Sequence, residues 1–403
     1  MHTGFHYVAN GRKKSFGEGA DLSALSAIVG QRVLAFHQKL PIYAPTPLRS
    51  LPALSAHLGL GSLHVKDESQ RFGLNAFKGL GGSYAVAKYL GQQLGLTEEA
   101  LSFDVLMQSE NRARLGEMTF VTATDGNHGR GVAWAAQQLG HRAIVYMPKG
   151  ASPIRAENIR QHGAECQITE LNYDDTVRFA SEQAERHQWA LVQDTAWPGY
   201  EAIPEWIMQG YMTLVVEALA QLRASQAPLP THVVLQAGVG SFAGAIMGHL
   251  VATLGAAAPK VWVVEPNKAN CLYQSAVHND GHPHAVKGDL DTLMAGLACG
   301  EPNTQSWPIV RDHTDYFFSV ADAVAANGMR ILAAPLAGDP AIVSGESGAV
   351  GMGLVHELKH DPQHQDLCAR LGLQADAHVL LISTEGDTSP DVYQDIVWRG
   401  RQD

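Results

Sequence analysis

The sequence predicts an α/β protein built from two open, parallel-sheet lobes. Three observations lead there. Short β-branched runs alternate with helix-patterned runs between residues 119 and 194. The alternation restarts at residue 232 and continues to 266. A long helical pattern and the proline-bearing break "QAPLPT" (226–231) separate the two series. Strands joined through helices of this length lie parallel, because the crossover returns the chain to the same end of the sheet. At 403 residues the chain is also long for a single hydrophobic core.

Taken in order, the first 80 or so residues hold a helix pattern, the segment "YAPTPLRSL" and a strand-like "SLHVKDES". "TFVTAT" (119–124) is the first strand of the regular series, and a glycine-punctuated turn follows it. "GVAWAAQQLG" (131–140) has helical spacing and a glycine stop. "RAIVYMP" (142–148) is the next strand, and "SPIRAENIRQHG" (152–163) opens as a helix with Ser at the cap and Pro in the first turn. The charged helix "YDDTVRFASEQAERHQ" leads to a third strand, "ALVQD" (190–194). After the long helix "EWIMQGYMTLVVEALAQLRA" (205–224) come the strand "HVVLQA", a glycine loop, the helix "GAIMGHLVATLG" and the strand "KVWVVEP". A last strand, "HVLLISTEG" (378–386), lies near the end.

Composition narrows the function. Apolar residues make up 45% and charged residues 17%, as in a folded globular protein. The net charge is −11 with no basic run to offset it, which argues against nucleic acid and anionic membrane as partners. The opening "MHTGFHYVANGRKKSF" lacks the apolar stretch of a signal peptide, and no apolar run reaches spanning length, so a soluble cytoplasmic protein is expected. The four cysteines, Cys166, Cys271, Cys299 and Cys368, form no CxxC pair. Reduced thiols are expected, with a Cys271–Cys299 bridge left open.

Two motifs carry chemistry. "LQAGVGSFAG" (235–244) follows a strand and opens a helix. Gly238 and Gly240 let an anion approach the backbone, and the helix start adds free N–H groups and a positive dipole end. The same loop fits a dinucleotide fingerprint through Gly238, Gly240 and Ala243, with Glu265 closing the next strand where a ribose-binding acid would stand. The loop alone therefore leaves three readings open: a cofactor phosphate, a nicotinamide dinucleotide, or a tight turn without ligand. The second motif is "RFGLNAFKGLGGSYA" (71–85), which places Lys78 at a helix start among Ala76, Gly79, Gly81, Gly82 and Ser83. Small neighbours give clearance to a lysine that bonds a flat aromatic cofactor. Schiff-base chemistry needs the neutral amine, and a helix N-terminus disfavours the cation. A solvated helix-cap lysine is the alternative.

Lys78 after Phe77, the "GNHG" turn at 126–129, the later glycine loop, "TPL" at 46–48 and "KDE" at 66–68 together resemble the tryptophan-synthase-like, or fold type II, pyridoxal-phosphate enzymes. The likeness runs from about residue 40 to 390. Within that group, "DGNHGRGVAW", "QDTAWPGYEAIPEWIMQGY" (193–211) and "TLMAGLACGEP" (292–302) resemble the diaminopropionate ammonia-lyases. The resemblance implies a large lobe of residues 1–85 and 212–403, a smaller inserted lobe of 86–211, and an active site between them. It implies pyridoxal 5'-phosphate as cofactor, an amino-acid substrate and a homodimer. Lys78 would bond the cofactor, Asn127 would meet its ring hydroxyl, and the amides of Gly238, Val239, Gly240, Ser241 and Phe242 would hold its phosphate. Thr384 would sit at the ring nitrogen, where a neutral hydroxyl suits elimination. The turn of Thr124, Asp125 and Gly126 would receive the substrate carboxylate. Two departures stand out: Ala76 where Ser is usual, and Asp125 where serine and threonine dehydratases carry Ser.

An aspartate in a carboxylate-binding turn repels its ligand unless it has other work. A β-ammonium gives it a partner, and a Cα proton needs a base. Asp194, closing "ALVQD", supplies a second carboxylate at a strand end. Free Asp titrates at about 3.9, too low for a good base, and burial or the other acid would raise one of the two. The expected activity is α,β-elimination of D- and L-2,3-diaminopropionate to pyruvate and two ammonia, with Asp125 and Asp194 on opposite faces. A serine or threonine dehydratase of the same fold, or a nicotinamide-dependent oxidoreductase, is the alternative. Asp125 also fits as a helix N-cap, and Asp194 as a loop-side ion pair. No metal is expected: "HNDGHPHAV" (278–286) reads as a surface loop, and His356, His360 and His364 as a polar surface face broken by Pro362. "SGESGAVGMG" (344–353) is placed near the site without a step assigned.

Overall fold

The expected β-branched runs all become strands, distributed between two sheets in a computed structural model that describes residues 4–401. The strands are β1 (Phe5–Ala9), β2 (Leu48–Ser50), β3 (Ser62–Asp67), β4 (Thr119–Ala123), β5 (Arg142–Met147), β6 (Glu165–Ile168), β7 (Ala190–Leu191), β8 (His232–Gln236), β9 (Lys260–Pro266), β10 (Tyr316–Val320) and β11 (His378–Ser383). Seven form one sheet in the order β1-β10-β9-β8-β11-β3-β2, and four form a second in the order β6-β5-β4-β7. All pairings are parallel except at the edges of the larger sheet, where β1 runs against β10 and β2 against β3. The larger sheet is thus mixed, not wholly parallel as the sequence suggested. The stretch between Ser50 and Ser62 is too short to hold a full crossover, so β3 returns antiparallel beside β2. The inner strands are buried on both faces, as in the fully buried run of β8.

In each sheet the chain reverses its direction of travel at one pair of neighbouring strands. In the larger sheet these are β8 and β11, in the smaller β4 and β7. Clefts open at the C-terminal ends of such pairs, where diverging connections leave space. β7 is only two residues long because the chain leaves the ladder early. The Gln193 side chain takes over, accepting the Ala123 N–H at 2.9 Å and the Thr122 hydroxyl at 3.1 Å. Asp194 is thereby freed to turn out of the sheet.

Helices α1 (Gly79–Leu94), α2 (Asn127–Leu139), α3 (Pro153–Arg160), α4 (Ala202–Ala224), α5 (Ser241–Leu254), α6 (Cys271–His278) and α7 (Glu346–His360) place the rest of the site. The glycines around Lys78 serve helix packing, which corrects the expectation that they clear space for a ligand. A methyl at Gly81 would lie 2.5 Å from the Tyr211 ring of α4, and one at Gly82 would lie 2.9 Å from the Gly131 backbone of α2. The reciprocal contacts hold at Gly210 and Gly131, so α1 is clasped between α2 and α4 with backbones nearly touching. Lys78, one residue before α1, is fixed by that clasp.

Candidate active site

Lys78, Thr124, Asp125, Asn127, Asp194, the 238–242 loop and Thr384 converge on one cleft between the two sheets. The smaller sheet supplies Asp125 after β4 and Asp194 after β7. The larger supplies the glycine loop after β8 and Thr384 after β11. Both contributions come from the strand pairs where the chain reverses, which is why residues so distant in sequence meet.

The Lys78 amine donates to Asp194 Oδ2 at 2.5 Å and lies 5.5 Å and 5.6 Å from the ring centroids of Phe77 and Tyr211. Burial works against its charge, but Asp194 outweighs burial and holds the ammonium well above its ordinary range. The helix start disfavours the cation, as the sequence reading had it, but the neighbouring carboxylate works the other way and is stronger while the lysine is free. Burial likewise works to raise Asp194, but His128 and Lys78 outweigh it and hold the carboxyl at about 2. Asp125 moves the other way: burial pushes it up against the pull of Arg155 and Lys78. One acid of the pair is raised, as expected, and it is Asp125.

The 238–242 loop has the form of an anion cradle. Gly240 takes φ +100°, open to glycine, and turns the chain into α5. Among the described residues, no backbone N–H from Gly238 to Phe242 donates to a protein acceptor. Five free amides at a helix start fit a phosphate, so the loop suits the phosphate end of pyridoxal phosphate. The Ser241 hydroxyl is committed elsewhere: it donates to the Asp194 carbonyl at 2.6 Å and accepts from Asn303 at 2.7 Å. This ties the loop to the opposite sheet. Glu265 is fully buried and accepts the N–H groups of Leu272 and Tyr273 at 2.9 and 2.6 Å, capping α6. It cannot hold a ribose, which removes the basis for a dinucleotide site.

The turn after β4 is partly self-satisfied. Thr124 Oγ1 accepts from Gly126 N at 2.9 Å and Gly129 N at 3.1 Å, and Thr124 N donates to the Tyr146 carbonyl at 3.0 Å, so of the expected Thr124–Asp125–Gly126 turn only the Asp125 amide is free, joined by those of Asn127 and His128, which have no protein acceptor among the described residues. Asn127 donates to Glu385 at 2.5 Å, and Glu385 also accepts from the Ser347 amide at 3.1 Å. Thr384 Oγ1 accepts from Gln236 at 2.8 Å. A methyl at Gly296 would stand 3.6 Å from Asp125 Oδ2, so the "TLMAGLACGEP" segment walls the site with a residue that cannot crowd it.

Several site residues were missed in the sequence. The His128 ring stands 3.8 Å from Asp194 and bonds the Val192 carbonyl at 2.7 Å. It sits inside the quoted "GNHG", which could have flagged it. Tyr173 reaches Asp194 at 3.5 Å, Arg155 reaches Asp125 at 3.5 Å, and Glu385 follows Thr384. Tyr173 and Arg155 carry no motif. The histidine loop is a surface feature as expected, with His278 and His284 stacked and His284 bonded to Asp280, and no metal-ligand group forms among the described residues. His364, expected on a polar face, is instead buried against Phe5. All four cysteines are free thiols. No helix among the described residues is long and apolar enough to cross a membrane.

Comparison with known proteins agrees with this geometry. Residues 39–371 match the family model described as pyridoxal-phosphate dependent enzyme. The chain is 63% identical over 402 residues to diaminopropionate ammonia-lyase of Salmonella typhimurium, covering all of both chains. It superposes on the holo form of diaminopropionate ammonia lyase from Escherichia coli with a TM-score of 0.92 at 48% identity, covering 99% of this chain and 97% of that one. A second structure of the Escherichia coli enzyme, in complex with an aminoacrylate-PLP azomethine reaction intermediate, gives a TM-score of 0.90, covering 99% and 98%. The residues converging on the cleft and these full-length matches lead to one conclusion: the chain belongs to the pyridoxal-phosphate-dependent enzymes of fold type II.

Proposed function

We propose that this chain catalyses α,β-elimination of 2,3-diaminopropionate, of either hand, to pyruvate and two molecules of ammonia. The carrying observation is one amine, Lys78, with two carboxylates of opposite tendency, Asp125 raised and Asp194 lowered, in a cleft floored by five free amides. Pyridoxal 5'-phosphate, when bound, supplies the electron sink that lets a Cα–H bond ionise.

The chain's own residues supply the rest. Lys78 anchors the cofactor, and the amides of Gly238 to Phe242 hold its phosphate. The Thr384 hydroxyl accepts from Gln236, which leaves its proton to be donated to a ring nitrogen and keeps that nitrogen uncharged. Asn127 faces the ring hydroxyl. The free amides of Asp125, Asn127 and His128 receive the substrate carboxylate. The Lys78–Asp194 pair has to open for Lys78 to take the cofactor, since an ammonium is no nucleophile, and with Lys78 so engaged its ammonium no longer holds Asp194 low. Asp125 and Asp194 come from adjacent strands, β4 and β7, and each is assigned the proton on its own face. A carboxylate at 125 favours a substrate with a β-ammonium over one with a β-hydroxyl, which sets this reading above a serine or threonine dehydratase. A homodimer, cytoplasmic location and an inserted lobe of residues 86–211 belong to the same proposal. The first rests on family resemblance, the second on the lack of an apolar run of spanning length, and the third on β4–β7 forming a sheet of their own.

The test is pyruvate release by the holoprotein from D- and L-diaminopropionate, serine and threonine. Diaminopropionate should be the fastest, and Lys78→Ala should abolish both turnover and the visible absorbance of the bound cofactor. Faster turnover of serine or threonine would assign a dehydratase instead.

A further inference from the structure

Arg155 lies outside every motif, yet it is the cation built most deliberately into this site. It is buried to 6% exposure on α3, in the smaller-sheet lobe, and reaches across the cleft to the segment after β11. Its Nε donates to Ser389 Oγ at 3.1 Å and its Nη2 to Thr388 Oγ1 at 3.3 Å. Nη1 stands 3.5 Å from Asp125 Oδ2, and Nη2 stands 3.9 Å from Glu346. A methyl at Gly126 would meet the Arg155 Cδ at 3.0 Å, so the bare turn at 126 is what lets the arginine stem lie under Asp125.

We propose that Arg155 is a positioning residue that sets the charge state of the Asp125 carboxylate, and thereby controls turnover of the one substrate enantiomer that Asp125 serves. This rests on the reading of Asp125 as a base for one face. The groups facing Asp125 are Lys78, Arg155, Asp194, Glu385, Tyr173 and Cys299. Of the two cations, Lys78 pairs with Asp194 at 2.5 Å here and is the anchor of the cofactor in the holoprotein, so in neither state is it free to balance Asp125. Arg155 is left as the cation beside Asp125, its charge shared with Glu385 and with Glu346 at 3.9 Å. The neutral hydroxyls of Thr388 and Ser389 anchor the guanidinium, so its position does not depend on whether Asp125 holds a proton. A base in such a setting works down to the pH at which it protonates, and an opposite charge a few ångströms away lowers that pH.

The experiment measures kcat/KM against pH for both enantiomers in wild type, Arg155→Met and Arg155→Lys, with Asp125→Asn identifying the enantiomer that depends on Asp125. For that enantiomer Arg155→Met should move the acid limb up by about 1 to 3 pH units. Arg155→Lys, which keeps charge but loses the fork, should restore part of the displacement. The limb for the other enantiomer should stay in place. Carbon-13 NMR of the holoprotein labelled at aspartate carboxyls, with Asp125→Asn to assign the signal, should show Asp125 titrating higher in Arg155→Met. Equal loss of both enantiomers with unmoved limbs, or an unmoved Asp125 signal, would overturn the assignment. If Asp125→Asn spares or removes both enantiomers alike, the two-face reading falls, and the NMR titration alone decides the role of Arg155.

Discussion

Gly131→Ala is the sharpest test of how the fold holds Lys78. The added methyl would sit 2.9 Å from the Lys78 carbonyl oxygen, 3.0 Å from Gly79 N and 3.0 Å from the Lys78 carbonyl carbon, where ordinary contact begins at 3.4 Å. All three atoms are backbone, so no rotamer change relieves the clash. α1 or α2 has to shift by about half an ångström, and Lys78 moves with it. Overpacking of this kind costs about 1–3 kcal/mol, and the better helix propensity of alanine returns up to about 1 kcal/mol. The net loss, at most roughly 3 kcal/mol, lowers the thermal midpoint by no more than about 4 °C, given about 2 cal/mol/K of unfolding entropy per residue. The catalytic loss should be larger. Displacement of a reacting group by ~1 Å costs on the order of 100-fold, so half that should cost on the order of tenfold in kcat. Gly351→Ala is the control: its methyl would find only ordinary contacts at 3.5 Å inside α7 and should be neutral or slightly stabilising. Scanning calorimetry and steady-state kinetics on both variants read the difference. Wild-type kcat in Gly131→Ala would refute the view that the α1–α2 contact positions the lysine.

Other outcomes follow from the buried charges. Lys66, Glu217, Arg71 and Glu68 form a closed ion network behind the site, with Lys66–Glu217 at 2.6 Å and Arg71–Glu217 and Arg71–Glu68 at 2.8 Å. Glu217→Gln should cost about 3–5 kcal/mol of stability, because it leaves buried Lys66 without its carboxylate and Arg71 with Glu68 alone; a loss below 1 kcal/mol in denaturant titration would contradict this. Burial works to raise the Glu217 carboxyl from 4.5, but Arg71 and Lys66 outweigh it and hold it at about 2. Its folded value is depressed, so its stabilisation is complete above about pH 4.5 and is lost as pH falls towards 2; in Glu217→Gln that acid sensitivity should shrink. Glu265→Ala should cost about 1–2 kcal/mol through two uncapped amides of α6 while leaving cofactor absorbance unchanged. Loss of cofactor in that variant would reopen a ligand role for Glu265.

The parts of the fold and site legible in the sequence are those encoded locally. Alternating apolar runs specify the parallel strands because a buried strand needs them regardless of what it packs against. The glycine loop after β8 is readable because a strand, two glycines and a helix start already make an anion cradle. Of the edge strands, β7 was readable as "ALVQD", but β1 and β6 were not. β1 ("FHYVA") and β6 ("ECQI") are partly exposed and short, so neither carries a clear period. Glycines 81 and 82 were noticed but misassigned, since a glycine records close approach without naming the neighbour, and here the neighbours are Tyr211 and Gly131. Arg155 escaped notice for the complementary reason. It looks like any charged residue of a polar helix, and only the fold turns it inward to Asp125 and Thr388. The direction of each aspartate's shift also depends on which one Lys78 meets, a tertiary fact no spacing records.

The central claim is that two carboxylates serve two faces of one bound substrate. Turnover of D- and L-diaminopropionate by Asp125→Asn and Asp194→Asn holoprotein measures it directly. Reciprocal loss, each variant retaining one enantiomer, is the expected result. Parallel loss of both enantiomers in both variants would contradict it.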